Sequence, residues 1–396
     1  MNAVVKTPLR LVRDVAAETL RRLPISSEWL GPPKDEDATF QAFLARGSAW
    51  TKNAREMVVF SAEAVDLPAA AGVFGFGSPR FLAAESYVAP EAAIYECPNV
   101  RIFTRPLGII TPDDRLLVCA SCWHSPKARS HFAFHQVWLG RARPLAGSSL
   151  YLGGNRNPWH FYGDFLRQMV ALQRAGQKLE NFDHVFAKKP ETPIERFFYD
   201  ALGLTGRHLV DGESERQFRC ERLTFFSSVS RYHGRAELEE IRNLVFRVTG
   251  MPAQPRARRR IYVSRSRAHF RRVLNEPELL AWLNARGFET LHLEEMSPTN
   301  QIEAFRDADV VVGAHGAGLA HLLFSAPTTT VVELRNPAFV PENGAADTFR
   351  VVSGIRGLRY FAVTPRHHDR AQDPHHDDFS IDLADLQAAL AAAGVR

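Results

Sequence analysis

The chain has 396 residues, of which 45% are apolar, and a formal net charge of +5. This length and apolar content exclude a disordered protein and predict two or three domains. The small basic excess suits an anionic ligand or membrane surface and does not indicate a nucleic-acid binder. The 4 cysteines are too few for a disulfide framework. With no membrane-length apolar run and no signal-like N-terminus, we expect a cytoplasmic protein.

The N-terminal segment, residues 1–39, is predicted to form a helix and a linker. Between Thr7 and Leu23, apolar residues recur at helical spacing with arginines between them. Such a basic amphipathic helix can lie on the inner face of an anionic membrane or pack on its own protein. Asp14 and Glu18 favour packing because they dilute the positive charge. The Gly-Pro-Pro sequence at 31–33 indicates the linker.

Residues 40–250 predict a first α/β domain that begins with an irregular segment. That segment contains short β-like stretches at 57–60, 100–104 and 115–120. Its one C-x-x-C motif, Cys119 to Cys122, lacks a second pair and favours buried thiols over a zinc or redox site. From residue 148 onward, strand and helix patterns alternate. The predicted elements are Ser148–Leu152, His160–Arg174, His184–Ala187, Ile194–Leu202, His208–Val210, Arg222–Phe226 and Arg235–Val248.

A polar pair lies at the start of the helix predicted from residue 160. His160 and Asp164 are four residues apart, which places imidazole and carboxylate on one helix face. A hydrogen bond between them would fix the imidazole tautomer and raise its basicity. On spacing alone, an ordinary surface pair or a helix cap is the better interpretation.

Residues 251–365 predict a second α/β domain. The segment Met251–Arg260 has two prolines and a basic run, which indicates a domain boundary. Apolar runs then alternate with helical segments, a pattern typical of a parallel sheet with crossover helices. The runs are Ile261–Val263, Thr290–Leu293, Val310–Val312 and Val331–Leu334, and the helical segments are Glu276–Ala285 and Asn300–Asp307. Asn275 is expected to cap the first of these helices with its side chain.

Polar residues follow each predicted strand, where ligands of open α/β sheets bind. They are Ser264, Arg265, Glu294, Glu295, the glycine-rich turn at 313–318, and Glu333. The turn precedes a helix predicted from Leu319, and its N–H groups can bind a phosphate or simply let the helix pack closely on the sheet. Arg265 would face the same phosphate, and Glu333 would accept hydrogen bonds from ribose hydroxyls.

The C-terminal residues, 366–396, predict a loop and a helix that could pack back on the first domain. Ahead of them, a helix is predicted at Ala345–Ser353 and a strand at Arg359–Val363. Histidines at 367, 368, 375 and 376 invite a metal-site hypothesis. Adjacent ligands in a proline-containing loop have poor geometry for one, so a solvated loop without metal is the favoured interpretation.

Taken in order, these features resemble glycosyltransferase family 61. The matching residues are Ser264-Arg265, Arg271, Asn275-Glu276, Gly287-Phe288, Gln301, Asp309, HGAGLAHLLF at 315–324 and VVEL at 331–334. The segment 315–324 is especially similar to the eukaryotic EGF-domain-specific O-linked N-acetylglucosamine transferases, and the Ala- and Arg-rich composition suits a bacterial member. The resemblance implies an α/β fold of GT-B type, with two Rossmann-like domains facing a central cleft. It also implies an inverting, metal-independent enzyme that needs no cofactor beyond its donor.

The resemblance also implies roles for individual residues. Asn157, His160 and Asp164 match the family spacing N-x-x-H-x-x-x-D, with departures at Phe161 and Gly163. Either His160 or Asp164 is then the catalytic base, and Asn157 lies on the acceptor side. Departure of a diphosphate without a metal needs cations or N–H donors. The donor-site residues are Ser264, Arg265, Arg271, His315, Gly316, Ala317, Gly318 and Glu333, with His315 either donating to the phosphate or bracing the turn.

The expected function is transfer of a hexose or pentose from a UDP-sugar to a hydroxyl of a glycan, lipid-linked glycan or protein, in surface polysaccharide or glycoconjugate biosynthesis. The alternative is a catalytically inactive nucleotide-binding scaffold or regulator of a polysaccharide assembly complex. Such a scaffold would keep Arg265 yet tolerate the loss of His160. A nucleic-acid binder is disfavoured because only Arg256–Arg260 offers a short basic cluster.

Overall fold

The computed structural model describes residues 15, 16, 19, 20, 22–24, 33–75, 83–104, 107–118, 142–153, 157–205, 217–227, 233–335, 348–365 and 377–395. Several predicted features therefore lie outside the described residues: most of the helix at 7–23, both cysteines of the C-x-x-C motif, the strand at 208–210 and the histidines at 367–376. Within the described residues, no helix combines the length and hydropathy needed to cross a membrane.

Strands are numbered in chain order. They are β1 Asp35–Asp37, β2 Arg55–Phe60, β3 Glu63–Leu67, β4 Gly72–Gly75, β5 Glu85–Ala89, β6 Ala92–Thr104, β7 Leu107–Ile110, β8 Arg115–Leu117, β9 Arg143–Gly153, β10 His184–Ala187, β11 Gln217–Phe226, β12 Arg259–Val263, β13 Phe288–Leu291, β14 Ala308–Ala314, β15 Thr330–Leu334 and β16 Arg359–Thr364.

Helices are numbered in the same way. They are α1 Phe40–Ala45, α2 Pro158–His160, α3 Leu166–Arg174, α4 Pro193–Ala201, α5 Arg235–Thr249, α6 Glu276–Asn284, α7 Pro298–Arg306, α8 Thr348–Arg356 and α9 Leu383–Ala392. A π-helical turn, Phe161–Phe165, joins α2 to α3. The 3₁₀ helices are Leu179–Asn181, Leu293–Glu295 and Ala317–Phe324.

The larger sheet is mixed and lies in the N-terminal half of the chain. Its order is β1-β8-β7-β6-β11-β9-β10, with β2 paired on β6. Strand β9 pairs in parallel with β10 and β11, while β11 runs antiparallel to β6. The irregular leading segment predicted after residue 40 contributes four strands of this sheet and is more regular than its sequence indicated, and β1 lies in the segment predicted as a linker.

The smaller sheet has six parallel strands in the order β13-β12-β14-β15-β16-β4. Its central strands are nearly continuous runs of Val and Ile, because both faces of a parallel sheet are covered. The four strands predicted between residues 260 and 334 are present, and the predicted parallel sheet with an α/β pattern is confirmed. The carboxyl ends of β12, β13 and β14 carry the polar residues singled out in the sequence.

Two features of this sheet were not predicted. Strand β4 comes from the N-terminal half of the chain, yet it pairs with β16 through Gly72 to Gly75. Helix α9, which we expected could pack back on the first domain, shares an apolar cluster with the six-stranded sheet, and Leu386 and Leu390 are buried there. Its approach to the N-terminal half of the chain is through β4.

Asn275 also differs from expectation. It precedes α6, but its side chain caps no N–H of that helix. Its Nδ2 instead donates to the Ile381 carbonyl at 2.8 Å, and its Oδ1 accepts from the Ile381 N–H at 3.0 Å. The Asn275 side chain does not cap the helix because the Ile381 backbone offers it both a donor and an acceptor. This contact ties the loop before α6 to the end of the chain.

One apolar cluster joins the two sheets. It includes buried residues of the π-helical turn and α3 together with residues of the 3₁₀ helix 317–324. The Tyr162 ring packs edge-on against Phe324, with 5.1 Å between centroids. The helix that carries His160 is thereby held next to the turn that follows β14.

Candidate active site

A cavity of about 410 Å³ lies where the polar ends of the smaller sheet meet the helices of the larger one. Its size is in the range of small-molecule sites. It is lined by Pro158, Thr192, Pro193, Ile194, Val263, Ser264, Arg265, Arg267, Ala268, Leu293, Glu294, Met296, Gln301, Ala314, Gly318, Leu319 and His321. The first four residues come from the N-terminal half of the chain, so the two halves share this cavity.

Arg265 occupies the space beside the glycine-rich turn. A Cβ atom at Gly316 would lie 2.0 Å from Arg265 Nη1, so any larger residue there would displace the guanidinium. Arg265 Nη2 donates to the Phe270 carbonyl at 3.0 Å, and its Nε is buried with no hydrogen-bond partner among the described residues. Burial lowers the pKa of Arg265, and the more distant Asp378 and Glu294 offset this only partly. Among the described residues no carboxylate forms an ion pair with this half-buried cation, which is therefore suited to an anionic ligand.

Arg271 adds a second cation to this region. Burial and the charge of Arg265 lower the pKa of Arg271 to about 10, and Glu333 opposes them. The backbone of Arg271 has φ of 57°, a left-handed conformation that is uncommon for a residue with a side chain. Such backbone strain occurs preferentially at functional sites. The loop is held by Arg272, whose side chain and N–H both bind Asp378.

Ser264 and the glycine-rich turn form the floor between these cations. Ser264 is buried, its hydroxyl donates to Glu276 at 2.9 Å, and its oxygen accepts from the Ser266 N–H at 3.2 Å. Ala317 and Gly318 begin a 3₁₀ helix, whereas an ordinary helix was expected from Leu319. A Cβ atom at Gly318 would lie 3.0 Å from a methyl of Leu293, so the turn packs tightly against the end of β13.

His315 and Glu333 form a buried pair behind the cavity wall. His315 Nδ1 makes a short hydrogen bond to Glu333, whose other oxygen accepts from Tyr360 and lies 3.7 Å from Arg335. Burial lowers the pKa of His315. Burial would raise the pKa of Glu333, but Arg335 and His315 outweigh it and lower that pKa. Because the Glu333 side chain is 0% exposed, the direct ribose contact expected of it has no support in this geometry.

His160 and Asp164 are hydrogen-bonded, as their spacing predicted. His160 Nδ1 lies 2.6 Å from an Asp164 oxygen, and the carboxylate is 1% exposed while the imidazole is 22% exposed. The pairing places the Nδ1 proton toward Asp164, so the basic nitrogen of the neutral ring is Nε2. The π-helical turn that contains Asp164 is a rare element found mostly at functional sites.

The neighbours of this pair have structural roles that the sequence indicated only in part. Asn157 Oδ1 accepts from the Trp159 N–H at 2.9 Å and so caps the helix. A Cβ atom at Gly163 would lie 3.2 Å from His233 Nε2 and 3.4 Å from the Trp159 ring. The departure from the family pattern at Gly163 therefore has a steric cause, since a larger side chain would displace His233 or Trp159.

Contacts across the interface bring the two groups of predicted residues together. The Tyr162 hydroxyl lies 3.2 Å from His321 Nε2, and His321 Nδ1 lies 3.0 Å from the Gly318 carbonyl. Phe349 lies between the two sides, 6.2 Å from the Trp159 ring and 5.2 Å from the His315 ring. His160 is not among the residues that line the cavity, but Pro158 of the same helix is.

Two parts of the cavity wall were not identified from the sequence as part of a functional site. The turn at 192–194 lines the N-terminal side, and its Thr-x-x-Glu capping box, completed by Glu195, could have located the start of α4. Glu294 lines the side formed by the turn after β13. The sequence placed Glu294 after a predicted strand, where acidic residues often contact ribose, but gave no reason to prefer it over Glu333.

Comparison with known proteins supports the family resemblance. Residues 159–332 match the family model described as Glycosyltransferase 61. The chain is 36% identical over 118 residues to the EGF domain-specific O-linked N-acetylglucosamine transferase of Drosophila melanogaster, a match covering 29% of this chain and 21% of that protein. It is 37% identical over 71 residues to a beta-1,2-xylosyltransferase of Arabidopsis thaliana, covering 18% of this chain and 12% of that protein.

The matched segment therefore corresponds to about a fifth or less of these relatives. Among solved structures, a dodecameric iron-containing heptosyltransferase in complex with ADP-D-beta-D-heptose aligns over 73% of this chain and 79% of its own, at 8% identity and a TM-score of 0.27. That score is below the level that indicates a shared fold. The family resemblance found in the sequence is confirmed by the first three matches and does not depend on the last one.

Proposed function

We propose that this chain, a member of the glycosyltransferase 61 family, transfers a sugar from a nucleotide-sugar donor to an acceptor hydroxyl, with inversion at the anomeric carbon. The donor we infer is a UDP-sugar. The observation that carries the proposal is the placement of Arg265, a half-buried cation packed on Gly316 in a cavity whose opposite wall belongs to the helices of the His160 half. The inferred anion site and the helix that carries His160 thus line one cavity, the helix through Pro158.

The leaving diphosphate would be stabilised by the cationic end of the cavity. As the bond between the anomeric carbon and the phosphate oxygen breaks, negative charge grows on that oxygen. Arg265 and Arg271 supply positive charge there, and the first N–H groups of the 3₁₀ helix at 317–318 face the same turn. A planar guanidinium can bind two phosphate oxygens at once, which suits it to this role.

The attacking hydroxyl would be deprotonated by the pair on the other side. The acceptor oxygen attacks the anomeric carbon from the face opposite the diphosphate, and its proton passes to His160 Nε2. Asp164 holds the ring by Nδ1 and stabilises the imidazolium that forms. Of the two residues between which the sequence left the choice open, we favour His160 as the base because Asp164 is buried behind it.

The broader setting belongs to the same proposal. The two sheets flanking one cavity suit a GT-B arrangement, with the smaller sheet holding the nucleotide sugar. We infer an acceptor that is a glycan, lipid-linked glycan or protein, and a role in surface polysaccharide or glycoconjugate biosynthesis at the cytoplasmic face of the membrane. Contact of residues 7–23 with that membrane is part of this hypothesis.

A binding and turnover assay tests the proposal. The purified full chain should bind UDP in a calorimeter and should hydrolyse or transfer the sugar of at least one UDP-sugar. UDP-N-acetylglucosamine and UDP-xylose are the first donors to try, since the relatives are named for transfer of those sugars. UDP binding without turnover over a broad donor and acceptor panel would favour the inactive scaffold. No binding of any nucleoside diphosphate would contradict both.

A further inference from the structure

One side of the cavity carries hydrogen-bond acceptors that the proposed chemistry does not use. This side, the turn 293–296 together with Gln301, follows β13, which lies beside β12 in the sheet. The Val263–Leu291 register places the ends of the two strands side by side, so this turn adjoins the Ser264–Arg265 loop. A nucleotide whose phosphates lie at Arg265 would therefore extend its nucleoside toward the turn.

Gln301 has an orientation fixed by the backbone. Its Nε2 donates to the Leu293 carbonyl at 2.8 Å and the Met296 carbonyl at 3.1 Å. Because carbonyl oxygens can only accept, the amide nitrogen must face the turn and Oε1 must face away from it. Gln301 is buried in the cavity wall, and no described residue donates to Oε1. The cavity therefore contains a fixed neutral acceptor.

Glu294 differs from its neighbour Glu295 in its partners, although both carboxylates are exposed. Glu295 forms an ion pair with Arg267. Glu294 lines the cavity and forms no ion pair with any residue in the described part of the chain. It follows β13, which lies beside the strand that precedes Arg265, and acidic residues near the phosphate turn contact ribose hydroxyls in dinucleotide-binding α/β folds.

We propose that Glu294 and Gln301 select the nucleoside of the donor, Glu294 by accepting hydrogen bonds from the ribose hydroxyls and Gln301 by accepting one from the imide N–H of uracil. The apolar side chains of Leu293 and Met296 flank the base. The cavity thus selects a uridine ribonucleotide over its 2′-deoxy form and over bases without an imide N–H. This inference depends on the proposed function, since it names the substrate class of the same site.

Ligand analogues test it without altering the fold. Calorimetry on the full chain compares UDP with 2′-deoxy-UDP, N3-methyl-UDP and CDP, whose cytosine N3 carries no hydrogen. We expect 2′-deoxy-UDP to bind about tenfold more weakly than UDP, because one charge-assisted hydrogen bond is lost. N3-methyl-UDP should bind at least about tenfold more weakly, because Oε1 of Gln301 then faces a methyl group. Since Gln301 also holds the turn, the methylated ligand is a cleaner test than a substitution there.

Glu294→Gln, with Glu278→Gln as its matched control at an exposed carboxylate outside the cavity, completes the experiment. Glu294→Gln should weaken UDP binding about tenfold and leave 2′-deoxy-UDP nearly unchanged, because the variant and the analogue remove the same interaction. Glu278→Gln should bind both ligands like the wild type. Equal affinity for UDP and its analogues, or CDP bound as tightly as UDP, would overturn this inference and leave the proposed transferase standing. Failure of the wild type to bind any of the four nucleotides would sink the proposed function as well.

Discussion

Two histidine–carboxylate pairs lie on the elements that surround the cavity, and they are built differently. His160 is 22% exposed and is hydrogen-bonded to Asp164 on a helical turn of the N-terminal half. His315 and Glu333 are buried at the end of the smaller sheet, and Glu333 also binds Tyr360 and lies near Arg335. Burial lowers the pKa of His315.

This difference in exposure suits the two histidine–carboxylate pairs to different roles. A base must exchange its proton with a substrate, so it needs access to the cavity as well as a carboxylate that fixes its tautomer. The first pair has the carboxylate, and its partly exposed imidazole lies on the helix whose Pro158 lines the cavity. The second is enclosed by its partners, and it stabilises the turn against which Arg265 packs. A carboxylate next to a histidine is thus insufficient to identify a base.

The largest expected effect is on turnover. His160→Ala should lower the rate of sugar transfer by about two to four orders of magnitude, because general-base catalysis is removed, and should leave UDP affinity nearly unchanged. Transfer assays with calorimetry on the same variant measure both quantities. His184→Ala, a partly exposed histidine at the start of β10, is the matched control. Normal turnover in the His160 variant would assign the base elsewhere.

A substitution in the His315–Glu333 pair should lower the stability of the fold. Glu333→Gln removes the buried negative charge that balances Arg335 and His315, so unfolding should become easier by about 3 kcal/mol or more. Denaturant unfolding measures this free energy. Glu295→Gln, at an exposed ion pair, should cost under about 1 kcal/mol. A Glu333 variant as stable as the wild type would show that this pair does not hold the turn.

A third histidine, His321, allows the effect of burial on a histidine to be tested by pH. Burial lowers the pKa of His321 from 6.5 to about 4, despite its hydrogen bond to Gly318. Below pH 6.5 His321 is protonated in the unfolded chain but stays neutral in the folded chain. The free energy of unfolding therefore falls as pH drops from about 6.5 to about 4, by up to ~3 kcal/mol from this residue.

Chemical denaturation between pH 7 and pH 4 measures this loss. His321→Gln should flatten the dependence in that window, since glutamine keeps an acceptor for Tyr162 and does not titrate. His269→Gln, at an exposed histidine, provides the comparison. The same pH dependence in the His321 variant and the wild type would show that His321 is not held neutral.

The smallest effect is expected at the carboxylate of the first pair. Asp164→Asn keeps the shape of the side chain but no longer stabilises an imidazolium, so turnover should fall about 10- to 100-fold. Steady-state transfer rates measure this loss. A variant with unchanged turnover and lower stability would give Asp164 the same structural role as Glu333.

Local patterns made much of this arrangement predictable. The apolar runs of β12 and β14 are uninterrupted and that of β15 is broken only by Glu333. The four-residue spacing of His160 and Asp164 sufficed to predict their contact even though the turn is π-helical. These features depend on neighbouring residues in the chain.

Long-range partners decided what the sequence could not show. Glu333 accepts a hydrogen bond from Tyr360 on the next strand and does not line the cavity. Asn275 binds the Ile381 backbone near the end of the chain and does not cap its helix. The four residues of β4 carry no pattern that indicates pairing with β16. Because acidic residues follow two different strands, only the tertiary packing shows that Glu294 faces the cavity and Glu333 does not.

The measurement that tests the account most directly is the affinity of Arg265→Ala for UDP, with Arg258→Ala as control because Arg258 is 88% exposed and outside the cavity. If Arg265 binds the diphosphate, its loss should weaken binding by about 2 kcal/mol, roughly 30-fold, while the control binds like the wild type. Equal affinity of the Arg265 variant and the wild type for UDP would contradict the assignment of this cavity to a nucleotide sugar.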